Sequence, residues 1–460
     1  MRVTVSRRAS LTDALRAVVL SRRLAARDRW SPEHAAGHRA RRLQAATTWA
    51  VEASAIYRER LGADGRTAPV TKAELMARWT EWVGDPSLFD LDALRAHLAS
   101  QRGDELIDGR FRATSTSGSS RTPGVFVFDR AEWTTVCALG LRCVQLGGLR
   151  PSIPRPRVAY VLSPPGPHMA ARVTLTVDAL PVFRRRLSHA VKPLPAIVAD
   201  LQALQPHVIL TYGSLAGILA AEQLAGRLQI APRAVMSTSE PLTAESAELV
   251  RRAWSVSASD FYAMTETGPL GVTCQQGRLH VFEDEAVVEV VDDELRPVPD
   301  GEQGSRVLVT NLFARTQPIV RLEVNDALRI DPQPCPCGRP WRVVAEISGR
   351  TDDVLLLAGA DGRGEVRVHP IAFGALSAVE GVGEFEVVLH DEGLTLRVAA
   401  DSDEAAQAGG DAVRGRLAEL GAAVPHIAVE RVDDLREQRV ALRGKLKLVR
   451  DERSAQTGTT

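Results

Sequence analysis

Residues 113–128 read Ala113-Thr114-Ser115-Thr116-Ser117-Gly118-Ser119-Ser120-Arg121-Thr122-Pro123-Gly124-Val125-Phe126-Val127-Phe128. A hydroxyl-rich, glycine-containing loop runs straight into a short apolar strand. Such a loop offers backbone N–H groups and Ser/Thr hydroxyls with little steric cover, the groups that hold phosphates. The Walker A spacing G-x-x-x-x-G-K-[ST] is absent. Ser, Gly and Pro also build ordinary surface turns, so the surrounding chain has to decide between the two readings.

Beyond the loop the pattern alternates. Apolar runs at 158–162, 207–211 and 234–237 have the look of buried strands. Segments of helical spacing at 131–146, 194–205, 214–225 and 243–254 separate them. This alternation predicts an α/β layer around a mostly parallel sheet. From 279 to 330 the elements shorten, with turn signals at Pro299-Asp300-Gly301 and Asp331-Pro332, which predicts a small β-rich subdomain. The first hundred residues read as mainly helical. A break falls at Gly349-Arg350, and strands at 385–389, 394–399 and 427–432 with a helix at 404–420 follow it. The expected organisation is a large multi-subdomain N-terminal domain, 1–349, and a smaller C-terminal α+β domain, 350–460, able to move against it.

The 460 residues are 45% hydrophobic and 25% charged, which is ordinary globular composition. Lys+Arg and Asp+Glu each number 57, so nothing favours nucleic acid or an anionic membrane as partner. Arg16 interrupts the only apolar stretch of the basic N-terminus, which leaves no secretory h-region. Ser10-x-x-Asp13 before Leu15, Val18 and Val19 reads instead as the cap of an amphipathic helix. Five cysteines, an odd number, do not make a disulfide framework. The expectation is a soluble cytoplasmic protein, monomer or homodimer.

Four further elements carry chemistry. In Phe261-Tyr262-Ala263-Met264-Thr265-Glu266 the ring suits a flat base, Thr265 a phosphate, and Glu266 a Mg²⁺ ion, a hard cation; a helix-capping Thr-Glu pair is the bland alternative. Asp326, after Asn325, suits ribose hydroxyls, whereas a lone loop aspartate is more often just solvated. Gly349-Arg350-Thr351-Asp352-Asp353 and the basic Arg443-Gly444-Lys445 complete the set.

In this order and at these separations the elements resemble the adenylate-forming superfamily, most closely its phenylacetate-CoA ligase branch. The resemblance extends to Ala68-Pro69-Val70-Thr71-Lys72-Ala73-Glu74-Leu75, Ser239-Glu240-Pro241-Leu242 and Leu279-His280-Val281-Phe282-Glu283-Asp284. It implies an AMP-binding, acyl-CoA synthetase-like enzyme. A carboxylate attacks the α-phosphate of MgATP, and a thiol, usually that of coenzyme A, then displaces AMP. By position, Ser117, Gly118, Ser119, Ser120, Arg121 and Thr122 would form the phosphate loop. Ser239, Glu240, Pro241 and Tyr262 would line the adenine site, and Thr265 and Glu266 would serve phosphate and Mg²⁺. Asp326 and Arg350 would take the ribose. Asp352 would be the hinge, and Lys445 would enter the site for the first step only. Lys445 suits that step because two anionic reactants need positive charge between them; Lys447 is the next choice.

The family loop usually carries glycine at Arg121 and often lysine at Thr122. Either Arg121 takes over the phosphate contact with its planar fork, or the loop is degraded and the chain is a non-catalytic nucleotide binder. The presence of the other elements favours activity. His168, Tyr212 and Met264 are candidates for the acid pocket, with an aryl or arylacetic acid favoured by analogy alone. The acceptor is coenzyme A, an amine, or a carrier protein acting in trans.

Cys335-Pro336-Cys337-Gly338 sets two thiols one residue apart, and Cys274 and His280 lie upstream. The resulting Cys₃His set suits a structural tetrahedral Zn²⁺, and branch members carry a similar set. Buried free thiols are the alternative, and the better reading for Cys137 and Cys143.

Overall fold

The computed structural model describes residues 3–4, 7–84, 90–100, 105–116, 124–149, 155–162, 168–177, 179, 183–190, 192–240, 242–350, 355–360, 362, 364–368, 370–376, 379, 381–423, 426–433, 435 and 449–453. A short strand β1 (Val3–Thr4) precedes helices α1 (Arg7–Arg27), α2 (Pro32–Ala53), α3 (Ala55–Glu59), α4 (Lys72–Ala77), α5 (Trp79–Trp82) and α6 (Leu91–Ala99). Ser31 caps α2 by accepting from the His34 N–H at 3.2 Å, and Pro32 follows at the first helical position. α1 begins at Arg7, so Ser10 and Asp13 lie inside the helix and do not cap it. Asp13 is instead buried, with the guanidinium groups of Arg130 and Arg112 at 3.0 and 3.5 Å. A carboxylate removed from water needs such partners more than a helix end needs a cap.

Strand β2 (Leu106–Ile107) pairs with β1, and β3 (Arg112–Ser115) pairs antiparallel with β4 (Val125–Phe128), the apolar run that follows the hydroxyl-rich loop. All four residues of β4 are buried. Phe126 meets Trp82 edge-on at 6.0 Å, and Phe128 packs on Trp133. Burying each such ring contributes on the order of 2–3 kcal/mol. Helix α7 (Arg130–Leu146) starts from a complete capping box, Asp129 with Glu132.

The alternating section follows as β5 (Arg157–Leu162), α8 (Met169–Val177), β6 (Arg184–His189), α9 (Leu194–Leu204), β7 (Val208–Thr211), α10 (Gly213–Leu224), β8 (Ala234–Thr238), α11 (Ala244–Trp254) and β9 (Ser259–Met264). Next come β10 (Gly268–Thr273), β11 (Leu279–Val281), β12 (Ala286–Val291), β13 (Arg306–Asn311), β14 (Leu322–Val324), β15 (Asp326–Asp331) and β16 (Val343–Arg350).

One nine-stranded sheet has the order β15-β16-β11-β10-β9-β8-β7-β5-β6. From β6 to β9 it is parallel, as the crossover helices require; from β9 to β15 it is antiparallel. The expectation of a mostly parallel sheet therefore holds for one half. β9 turns back through Thr265–Thr267, and an antiparallel partner needs no crossover helix. The β-rich segment accordingly divides: β12, β13 and β14 form a separate three-stranded sheet, while its other strands extend the large one. Gly271 on β10 is required by this closure, since a Cβ there would lie 2.2 Å from the His280 carbonyl oxygen on β11.

The main core joins the N-terminal helices to β4, α7 and the antiparallel half of the sheet. After 354 the chain gathers a core of its own. It is built from β17 (Leu355–Gly359), β18 (Glu365–Val368), β19 (Val382–His390), β20 (Gly393–Ala400), α12 (Asp403–Glu419), β21 (Ala422–Ala423), β22 (Ile427–Val432) and β23 (Val449–Asp451). No described helix is long and apolar enough to cross a membrane.

Candidate functional site

Parallel strands end together, and in open α/β sheets the crevice beyond their carboxyl ends is where ligands bind. Val161, Thr211, Ser237 and Asp260 are register neighbours across β5, β7, β8 and β9. The segments just past this line carry many of the residues singled out above. His168 follows β5, Tyr212 follows β7, Ser239 and Glu240 follow β8, and Met264, Thr265 and Glu266 end β9 and begin the turn into β10.

The Tyr262 hydroxyl donates to Asp326 Oδ2 at 2.8 Å, joining β9 to the start of β15 across the sheet. Tyr262 is buried, Asp326 half-buried, and Glu266 buried beside half-buried Thr265. The turn holding Thr265 and Glu266 belongs to a hairpin, so the helix-cap alternative for that pair does not apply. Gly268, at φ +78°, supplies the left-handed conformation that lets this hairpin close.

The hydroxyl-rich loop, Ser117, Gly118, Ser119, Ser120, Arg121 and Thr122, lies outside the described residues, as do Pro241, Asp352, Lys445 and the side chain of Arg350. The loop's two ends are described. Thr116 N–H donates to Gly124 O at 3.0 Å, and Gly124 N–H donates to Thr116 Oγ1 at 2.9 Å. The hairpin beneath is tied to the segment leading to Asp326. Val127 N–H donates to Gln317 Oε1 at 2.6 Å, and Trp82 Nε1–H donates to Pro318 O at 2.7 Å. His168 Nδ1 lies 3.2 Å from Ser115 O, at the last residue of β3.

Ser239 has φ +69°, a conformation uncommon for a residue with a Cβ and often found at functional loops. Two carboxylates flank this loop. Glu240 accepts from the Ser214 hydroxyl at 2.6 Å and the Ser214 N–H at 3.3 Å, at the start of α10, where a negative charge is favourable. Asp260 accepts from Ser237 Oγ and from the backbone N–H groups of Leu242 and Phe261. Burial raises its pKa to about 6, against the opposing pull of those donors. Sequence reasoning missed Asp260, although the two-residue strand period places it on the same face as Tyr262.

A second cluster lies on the antiparallel half. The ligand atoms of Cys274, His280, Cys335 and Cys337 all fall within 4.8 Å of one another. Cys274 Sγ and Cys335 Sγ are 3.7 Å apart, and Cys337 Sγ is 3.2 Å from His280 Nε2. Two thiolates ~2.3 Å from a tetrahedral zinc ion would themselves be ~3.8 Å apart, whereas a disulfide needs ~2.05 Å. The donor set and spacing thus fit a four-coordinate metal. His280 Nδ1 faces the Trp341 carbonyl oxygen at 3.1 Å, which leaves Nε2 free to ligate. Burial holds His280 below its ordinary pKa, favouring the neutral, ligating form, and pushes Cys335 up to about 11. Cys137 and Cys143 are buried free thiols on α7.

No protein-family model matches the chain. Phenylacetate-coenzyme A ligase of Thermus thermophilus is 32% identical over 161 residues, 34% of this chain and 35% of that protein. Its Escherichia coli K12 counterpart is 29% identical over 127 residues, 26% of this chain and 28% of that protein. The match therefore spans about a third of the length of these curated relatives. Among solved structures, 2-hydroxyisobutyryl-CoA ligase in the postadenylation state with 2-HIB-AMP superposes with TM-score 0.64 at 21% identity, covering 88% of this chain and 87% of that one. The anthranilate CoA ligase AuaEII with anthranoyl-AMP gives 0.51 at 16%, covering 70% and 64%. These structural likenesses are likenesses of fold. Over the matched third the chain is similar to curated phenylacetate-CoA ligases, and its fold is that of adenylate-forming CoA ligases.

Proposed function

We propose that this protein is an AMP-forming acid–thiol ligase. It activates a carboxylic acid with MgATP as an acyl-adenylate and passes the acyl group to the thiol of coenzyme A. The observation that carries the reading is the Tyr262–Asp326 hydrogen bond. It links two elements that the resemblance assigns to one nucleotide, 64 residues apart in sequence, beside the carboxyl ends of the parallel strands.

In this reading Tyr262 covers the adenine, with Ser239, Glu240 and Pro241 alongside, and Asp326 receives the ribose hydroxyls with Arg350. Ser117–Thr122 hold the phosphates with Thr265. Glu266 holds Mg²⁺, which supplies charge neutralisation at the phosphates. Asp352 is the hinge between the domains 1–349 and 350–460, and Lys445 brings positive charge to the adenylation step. His168, Tyr212 and Met264 line the acid pocket. Aryl or arylacetic acids are the favoured substrates, because the curated relatives are phenylacetate ligases by name and AuaEII is a ligase for an aryl acid. Cys274, His280, Cys335 and Cys337 hold a structural zinc ion, four protein ligands leaving no open position.

Carboxylate-dependent ATP–pyrophosphate exchange across a panel of aryl, arylacetic and aliphatic acids tests the first half-reaction. Product analysis with coenzyme A, amines and carrier proteins tests the second. Exchange with no acid would reject the ligase reading and leave the nucleotide-binding one, which Arg121 in the phosphate loop favours. In that case Arg121→Gly would tighten ATP binding.

A further inference from the structure

The joint between α1 and α2 reaches the cysteine–histidine cluster through the segment 339–342. Asp28, in that joint, accepts from Trp341 Nε1–H at 2.7 Å. The same Asp28 oxygen accepts from Arg142 of α7, whose side chain is fully buried. Arg142 also binds both oxygens of Asp284, at 3.0 and 3.1 Å, and stands 4.4 Å over the Phe282 ring. The Trp341 ring meets Trp30 of the same joint edge-on at 6.2 Å. On its other side, the Trp341 backbone carbonyl holds His280 Nδ1 at 3.1 Å. The next residue is clamped as well: Arg342 N–H donates to Glu283 Oε2 at 3.0 Å, and Arg342 O accepts from Val281 N–H at 3.0 Å.

The segment 339–342 is thus pressed between a buried ion network and the imidazole of the cluster. A buried guanidinium shared by two carboxylates has little freedom, because separating either pair leaves an uncompensated charge. That rigidity passes to the indole through Asp28, and from the indole's own backbone to the histidine. Partners of this outer kind fix the tautomer and orientation of a ligating histidine.

We propose that Trp341 is a positioning residue for the Cys274–His280–Cys335–Cys337 centre, and that through Asp28 it couples metal retention to docking of the α1–α2 joint. The inference rests on the reading of that cluster as a zinc site. Coupling of this type is reciprocal: the joint steadies the metal, and the metal steadies the joint.

The test uses the full chain purified with zinc. Trp341→Phe keeps an aromatic ring and the backbone carbonyl but removes the Nε1 donor together with part of the ring volume. Asp28→Ala removes the acceptor, and Asp28→Asn restores one without charge. Transfer of zinc to a chromophoric chelator should be about tenfold faster in Trp341→Phe and Asp28→Ala, the lower end of the effect of outer-shell changes. The visible absorption of the cobalt-substituted protein should change in step, and Asp28→Asn should recover most of the retention. Hydrogen exchange at residues 28–31 should quicken when the metal is stripped from the unaltered protein. Should Asp28→Ala fail to fold, Trp341→Phe decides. Unaltered release and cobalt spectrum in a folded Trp341→Phe would overturn the coupling and leave the zinc site standing. An unaltered protein that takes up no zinc would overturn both.

Discussion

The hydroxyl of Tyr262 and the carboxylate of Asp326 stand 2.8 Å apart, at the end of one sheet strand and the start of another. The bond fixes the tilt of the ring and engages one oxygen of the carboxylate. Removing a hydrogen bond to a charged group costs roughly 1.5–3 kcal/mol. Under the proposed function, Tyr262→Phe should weaken ATP binding about tenfold or more in the exchange assay. Asp326→Ala should weaken it further. The double variant should fall short of the summed effects, since the two residues act as a unit. Additive effects would separate Tyr262 from the nucleotide site.

Lys445 gives a prediction that divides the two half-reactions. At about 4 Å and an effective dielectric of about 20, a unit charge pair is worth roughly 4 kcal/mol, or about a thousandfold in rate. Lys445→Ala should therefore lose about a thousandfold in acid-dependent exchange. Thiolysis of a supplied acyl-adenylate should be nearly intact. Equal loss of both steps would contradict a domain that swings about Asp352.

Asp260 predicts a pH dependence of stability. Burial raises its folded pKa to about 6, above the ordinary aspartate value of 3.8. The folded state therefore binds the proton more tightly than the unfolded chain. The contribution of this group is complete below about pH 4 and is lost as pH rises through about 6. The swing is at most about 3 kcal/mol, less where solvent reaches the carboxylate. Asp260→Asn stays neutral and can still accept from Leu242. Its Tm relative to the unaltered protein should rise between pH 4.5 and pH 7.5. A difference that stays flat across this range would place the ionisation elsewhere.

What could be read from the sequence was local. Strand–helix alternation announced the parallel half of the sheet, because each βα unit carries its own period, and α11 also its own cap, Thr243. The ordered motifs carried the resemblance to phenylacetate-CoA ligases, and curated ligases of that name are similar to about a third of the chain. The spacing of Cys335 and Cys337 pointed to a cluster with Cys274 and His280, which gather although 61 residues separate Cys274 from Cys335. What could not be read depends on distant partners. Nothing in the α1 sequence says that Asp13 will meet Arg130, 117 residues away, so a helix cap was the natural local reading. The antiparallel continuation beyond β9 was equally hidden. Strands as short as Leu279–Val281 take their place from neighbours supplied by β10 and β16.

Glu240 should be worth stability as well as function. It accepts from both the N–H and the hydroxyl of Ser214 in the first turn of α10. Loss of such a capping group costs about 1 kcal/mol. Glu240→Ala should lower the denaturant midpoint with no change in m-value, whereas Glu240→Gln should recover part of the loss. If Glu240→Ala is neutral, the carboxylate does not serve as the cap.

Gly271 provides the severest structural test. On β10 it faces Tyr262 of β9 on one side and lies between His280 and Val281 of β11 on the other. A methyl group would stand 2.2 Å from the His280 backbone oxygen, which cannot rotate away. β10 and β11 would have to part, and forced overpacking of this kind typically costs about 1–3 kcal/mol. Because the same displacement moves a proposed zinc ligand and the partner of Asp326, Gly271→Ala should lose stability, zinc retention and ATP affinity together. Loss of stability alone, with both ligands held normally in the folded fraction, would show that the two sites are not joined through this strand pair.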